Sequence, residues 1–227
     1  MEAHEDPGAV SSVLRYYEAC FARHGDTARG AGWPNEPDRL LRFDVVLELV
    51  EWMVPAGPVV LCDLGCGTGE LLRRIQSRRL DRIAYAGIDA LGEPLAMARS
   101  KFPGVRFEQI DVSTAASEAG ERLSCDVAVA NGLFTVKGRN SHEEMWQLMT
   151  SVLERVWPVA RRGVIFNVMS PVVDRERDDL FHVSYDRLAA FLHALAGRSI
   201  GFRADYGLHE YMAYATKTPH KPAIGPL

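Results

Sequence analysis

Over residues 10–24 apolar side chains recur at helical spacing, through Val13, Leu14, Tyr17, Cys20 and Phe21. The same period returns over 38–53 through Leu40, Leu41, Val45, Leu49 and Trp52. Between them, residues 24–35 read as a loop from their glycines and Pro34. After the Pro55-Ala56-Gly57-Pro58 cluster the pattern changes. Short apolar runs predict strands over 59–62, 83–88, 105–110, 127–130 and 164–168, and helical patterns alternate with them over 70–78, 93–101, 141–159 and 184–196. Two further β segments, 199–203 and 210–216, follow with only a turn between them. Such alternation predicts an α/β fold, a doubly wound and mostly parallel seven-stranded sheet closed by an antiparallel C-terminal hairpin. Residues 1–57 then form an N-terminal helical segment with a lid loop, 58–218 the main domain, and 219–227 a tail.

Sheets of this kind bind ligands beyond the carboxyl ends of their strands. The candidate rim segments are therefore 63–69, 89–92, 111–114, 131–140, 169–183 and 204–209. The first is the most informative. Asp63-Leu64-Gly65-Cys66-Gly67-Thr68-Gly69-Glu70 runs from a strand into a glycine loop that opens a helix. Glycines at alternate positions let the backbone turn tightly and approach a ligand with no Cβ between them. A dinucleotide loop would place a third glycine at position 70, where Glu70 stands, and the Lys-Ser/Thr of a phosphate-cradling loop is missing. Asp63 would repel a pyrophosphate and suits a ligand that is cationic near the loop. The next two strands end in Asp89, placed to accept ribose hydroxyls, and in Asp111, suited to an adenine amino group. Asp also caps helices, which is the plainer reading of both.

On these residues the chain resembles the class I S-adenosylmethionine-dependent methyltransferases. Residues 63–69 resemble their first motif, Gly87-Ile88-Asp89 the second, and Gln109-Ile110-Asp111 the third. The resemblance runs from about Val59 to the end and implies a Rossmann-like methyltransferase fold with S-adenosylmethionine as cofactor. It implies that Gly65 and Gly67, with Asp63 and Cys66 in the same loop, lie along the methionine portion. Asp89 and Ala90 would hold the ribose, Asp111 and Val112 would flank adenine, and Asn131 would face the donor amino group. A narrower likeness, to short methyltransferases of polysaccharide and natural-product gene clusters, is carried by Tyr16-Tyr17, His24-Gly25, Gly32-Trp33, Arg42-Phe43, Phe166-Asn167 and residues 205–210. Ala130-Asn131-Gly132-Leu133 departs from the Asp/Asn-Pro-Pro-aromatic motif of amino-methylating DNA enzymes, and no Pro-Cys marks a cytosine-5 enzyme.

Charge narrows the partners. A formal net charge of −4 recruits neither a nucleic-acid backbone nor an anionic membrane. The 227 residues suit one domain, without an apolar stretch of membrane-spanning length, and the acidic Met1–Asp6 opening is unlike a signal peptide. Cys20, Cys62, Cys66 and Cys125 follow no disulfide pattern, which points to the reducing cytoplasm, and no second Cys/His pair accompanies Cys62 and Cys66, so no metal is expected. The pairs Arg73-Arg74, Arg78-Arg79 and Arg161-Arg162 read as solvated helix ends, and residues 174–179 as a solvated loop.

The expected activity is methyl transfer to an oxygen or nitrogen of a small molecule, a natural-product intermediate or a sugar. Two alternatives stay open: methylation of a protein or RNA, and a non-catalytic S-adenosylmethionine-binding partner subunit. A homodimer is also left open. A hydroxyl acceptor needs a base, and of seven histidines His182 and His209 fall on rim segments, each with carboxylates close in sequence. Trp33, Tyr185 and Tyr206 are the expected acceptor contacts. Tyr16 and Tyr17 fit helix packing at least as well as a lid.

Overall fold

The computed structural model describes residues 9–114, 122 and 124–218; the acidic opening and the 219–227 tail lie outside them. Strands β1 (Val59–Leu64), β2 (Ile83–Asp89), β3 (Arg106–Gln109), β4 (Cys125–Ala130), β5 (Ala160–Met169), β6 (Ile200–Arg203) and β7 (Glu210–Thr216) form one sheet. Their order is β3-β2-β1-β4-β5-β7-β6. Five strands pair in parallel, β1 with β2 from Val59↔Ile83 to Leu64↔Ile88 and with β4 at Leu61↔Val127. β7 inserts antiparallel between β5 and β6, from Gly163↔Thr216 to Met169↔Glu210. The order reverses between β1 and β4, so a crevice opens beyond their carboxyl ends.

Helices cover both faces. α1 (Ala9–His24), α5 (His142–Val156) and α6 (Tyr185–Ala196) pack Val13, Met145, Met149, Leu153, Leu188 and Leu192 against Cys62, Leu64, Ala128 and Phe166. On the other face α2 (Glu36–Met53), α3 (Glu70–Ser77) and α4 (Gly92–Lys101) pack Phe43, Leu47, Leu71, Ile75 and Leu95 against Leu61, Val127, Val129 and Ile165. Successive strand residues face opposite layers, which is why the central strands read as unbroken apolar runs.

Polar signals set the helix starts. Asn35 accepts the Asp38 amide, so α2 begins at Glu36, before the apolar period is visible. Ser141 and Glu144 form a reciprocal capping box that starts α5. One expectation is corrected here. Arg161 and Arg162 are not a helix end: β5 begins at Ala160, and Arg161 donates to Asp126 on β4 at 3.0 Å. Arg161 and Arg162 are exposed, while Ala160 before them and the run from Gly163 to Val168 are buried.

Candidate active site

The crevice holds a cavity of about 170 Å³, walled by the strand ends of β1, β2 and β4, by 110–113, and by residues of α1 and the 25–33 loop. The glycine loop forms its floor. The amides of Gly65 and Cys66 donate to the Ile88 carbonyl at 2.8 and 3.0 Å, and that of Gly67 to the Asp89 carboxylate at 2.7 Å. The loop is thus pinned to the end of β2. Gly67 has φ +53°, in the left-handed region, and no atom lies within 4 Å of the place its Cβ would take. Backbone and free space meet there, as a close-lying ligand requires.

Three carboxylates mark the rim. Asp89 accepts Gly67 through one oxygen and the Leu91 amide, at 2.8 Å, through the other. Burial pushes its carboxyl above the usual range. Asp63, almost wholly buried, accepts the Tyr85 hydroxyl at 2.6 Å; burial, with Asp89 adding to it, pushes its pKa up to about 7. Asp111 accepts the Ser113 amide at 2.9 Å.

Beyond β4 the backbone of Gly132 is held on three sides. Its amide donates to Asn167 at 2.6 Å, and its carbonyl accepts Tyr17 Oη at 2.8 Å and Thr135 Oγ1 at 3.1 Å. Asn131 therefore stands on a fixed backbone at the cavity wall, and its amide nitrogen and oxygen are both buried without a partner. A buried amide left unpaired is costly unless a ligand completes it.

The 25–36 loop folds over this site. Asp26 accepts Thr68 Oγ1 of the glycine loop at 2.6 Å and Lys101 Nζ of α4 at 2.8 Å. At the other end the Trp33 ring lies against Gly132, so closely that a Cβ there would come within 2.5 Å of it. The Arg42 guanidinium sits 4.3 Å from the same ring and is paired with Glu210, which also accepts Asn167 Nδ2.

The structure brings together Trp33, Asp63, Gly65, Cys66, Gly67, Asp89, Ala90, Asp111, Val112 and Asn131, all on the cavity wall. Four expected residues stand apart. His182 is buried outside the cavity lining: its Nδ1 donates to the Ser170 carbonyl at 2.7 Å and its Nε2 accepts the Arg177 amide at 3.2 Å. Both ring nitrogens are thus engaged by backbone, away from the cavity lining. His209 is exposed in the turn before β7 and also lies off the cavity wall. Tyr185, the first residue of α6, is half-buried and stacks on Tyr211 with centroids 4.2 Å apart, against the core. Tyr206 is buried, with its hydroxyl 3.3 Å from Glu210.

Sequence reasoning left Tyr17 open between a lid and helix packing, and it lies on the wall; it missed Arg39, which is buried at the cavity with Nη2 on Glu36 and Glu70 and Nε unpaired. Nothing local marks Arg39. Asn167 did leave a signal, a lone amide inside the apolar run of β5. Among the described residues no cluster of three or more His, Cys, Asp or Glu could hold a metal, and no helix is long and apolar enough to cross a membrane.

The wall fits S-adenosylmethionine. The unpaired Asn131 amide, the open space at Gly67 and the buried Asp63 carboxylate suit a methionine portion bearing an amine. Leu91, Pro94, Val112 and Leu133 offer apolar surface for a base.

Comparison with known proteins agrees. The profile of the methyltransferase-domain family matches residues 61–155. Rv1506c of Mycobacterium tuberculosis, named as a methyltransferase, is 30% identical over 164 residues, 71% of this chain and 95% of that protein. The magnesium protoporphyrin IX methyltransferase of Synechocystis superposes with a TM-score of 0.63 at 14% identity, over 96% of this chain and 100% of that one. CalS10, an amino pentose methyltransferase of Micromonospora echinaspora, does so with a TM-score of 0.55 at 15% identity, over 89% and 97%.

Proposed function

The chain belongs to the methyltransferase family, and from that premise we propose that it transfers a methyl group from S-adenosylmethionine to an oxygen or nitrogen of a small molecule, a natural-product intermediate or a sugar. The donor supplies the electrophilic methyl group when bound. The chain's own residues orient, enclose and keep out water. Asp89 and Ala90 take the ribose side, Asp111 and Val112 the adenine side, and the backbone of Gly65, Cys66 and Gly67 the methionine side. Asp63 and the Asn131 amide answer the cationic end. The four free cysteines fit a reducing, cytoplasmic setting.

One observation carries the small-molecule reading: the cavity is roofed. Tyr17 ties α1 to Gly132, Asp26 ties the loop to Thr68 and Lys101, and Trp33 lies on Gly132. An acceptor has to fit beneath that roof, which favours a small molecule over a folded protein or an RNA. Among the described residues no histidine lines the cavity. This favours an acceptor that needs no histidine base, such as an unprotonated amine aligned by proximity. Incubation with methyl-labelled donor and separate low-mass, protein and RNA fractions tests this. Label is expected in a low-mass product. Label in either macromolecular fraction refutes the acceptor class, and donor binding without any transfer refutes catalysis.

A further inference from the structure

Tyr85 lies on β2, paired in register with Leu61 of β1, and its ring packs on Phe107 with centroids 5.9 Å apart. It does not line the donor cavity. Its hydroxyl nevertheless reaches the Asp63 carboxylate, which does, at 2.6 Å. Among the described residues no other donor bonds that carboxylate. We propose that Tyr85 is a positioning residue of the donor site, whose hydroxyl keeps Asp63 ionised and directed at the cavity so that its charge can face the cationic end of the donor. This rests on reading the cavity as a donor site.

The surroundings of Asp63 explain why one hydroxyl matters. Burial disfavours its charge most strongly, and Asp89 at the end of β2 disfavours it further. Cys66 of the glycine loop is the other titratable group beside it, its thiol pushed up by burial, with Asp63 and Asp89 adding to that; Cys62, next along β1, packs into the opposite layer. No arginine or lysine among the described residues is close enough to hold Asp63 down. The Tyr85 O–H bond is the one influence that favours the carboxylate. The sign follows by linkage. A cationic ligand selects ionised Asp63, so affinity is full above its folded pKa and falls as pH drops through about 7. Without the hydroxyl that limb moves to higher pH.

Calorimetric titration of the full chain with S-adenosylmethionine, between about pH 5.5 and 9, tests the idea in wild type, Tyr85→Phe and Asp63→Asn, with melting curves to verify folding. Wild-type affinity should fall on the acid side. Tyr85→Phe should bind about tenfold more weakly near neutrality and recover as pH rises. Asp63→Asn should bind weakly with no such limb. A flat wild-type profile overturns the proposal whatever the variants do. So does a Tyr85→Phe profile that matches wild type, or one weakened equally at every pH, as a merely structural role would give. If Asp63→Asn binds as well as wild type, the placement of Asp63 against the donor fails first. If wild type does not bind the donor at all, the functional reading itself is what fails.

Discussion

Replacing Asp89 by alanine separates what this carboxylate does for the protein from what it does for the donor. Its oxygens accept the amides of Gly67 and Leu91 at 2.7 and 2.8 Å. Hydrogen bonds to a charged group contribute about 1.5–3 kcal/mol each. Burial of the ionised carboxylate offsets part of that, as its raised pKa indicates, so the free protein should lose about 1–3 kcal/mol. At roughly 2–4 °C per kcal/mol for a chain of this size, it stays folded with a visibly lower melting temperature. Donor binding bears a second loss. The remaining lone pairs would take the ribose hydroxyls, and removing them costs about 1.5–3 kcal/mol, or about 10–150-fold in affinity. Unpinning Gly67 adds to this. Asp89→Asn should keep one amide bond and part of the stability, yet still bind donor poorly. Calorimetry at a temperature below both melting transitions reads the affinity directly. An alanine variant that melts lower but binds within about twofold of wild type would reduce Asp89 to a loop fastener and refute its ribose role.

Three other substitutions test separate parts of the site. Asp26→Ala breaks the roof's partly exposed latch to Thr68 and Lys101; stability should change by less than about 1 kcal/mol, while hydrogen exchange across 25–36 speeds up and product leaves faster. Unchanged exchange would mean that the latch holds nothing. Gly67→Val strains a left-handed position and fills the space beside it, so donor binding should vanish while Arg78→Ala retains it; equal affinities would place the donor elsewhere. His182→Gln should lower stability by about 1–3 kcal/mol through its hydrogen bonds to the Ser170 carbonyl and the Arg177 amide with turnover at saturating donor nearly unchanged, and His209→Gln should alter neither. A folded variant of either that loses about 100-fold in turnover would restore a histidine base.

The parts that could be read ahead of the structure share one property, locality. The strand-loop-helix of 59–77 shows itself through consecutive residues, and the acids at 63, 89 and 111 through their places at strand ends. Trp33 was expected at the site as a large aromatic in a glycine-rich loop, and it lines the cavity. What escaped depends on contacts between distant segments: Asp26 with Thr68, Tyr17 with Gly132, Arg42 with Glu210. His182 shows the limit most clearly. Topology set it on the rim segment after β5, but its ring is buried on the Ser170 carbonyl and the Arg177 amide, outside the cavity lining. Tyr185 and Tyr206 fell to the same cause, since an aromatic near the rim can pack inward on Tyr211 or reach Glu210 as easily as face a ligand. The start of β5 was missed because the exposed, charged Arg161 and Arg162 interrupt the apolar pattern there.

The central claim is that a glycine loop flanked by acids selects a cationic, phosphate-free nucleoside. Competitive calorimetry with S-adenosylmethionine, S-adenosylhomocysteine, ATP and NAD tests it most directly. The account predicts saturable one-to-one binding of S-adenosylmethionine, displaced by S-adenosylhomocysteine, and no measurable competition from either phosphate-bearing nucleotide, because Asp63, Asp89 and Asp111 line the wall they would occupy. Tight binding of ATP or NAD, with S-adenosylmethionine failing to displace it, would contradict it.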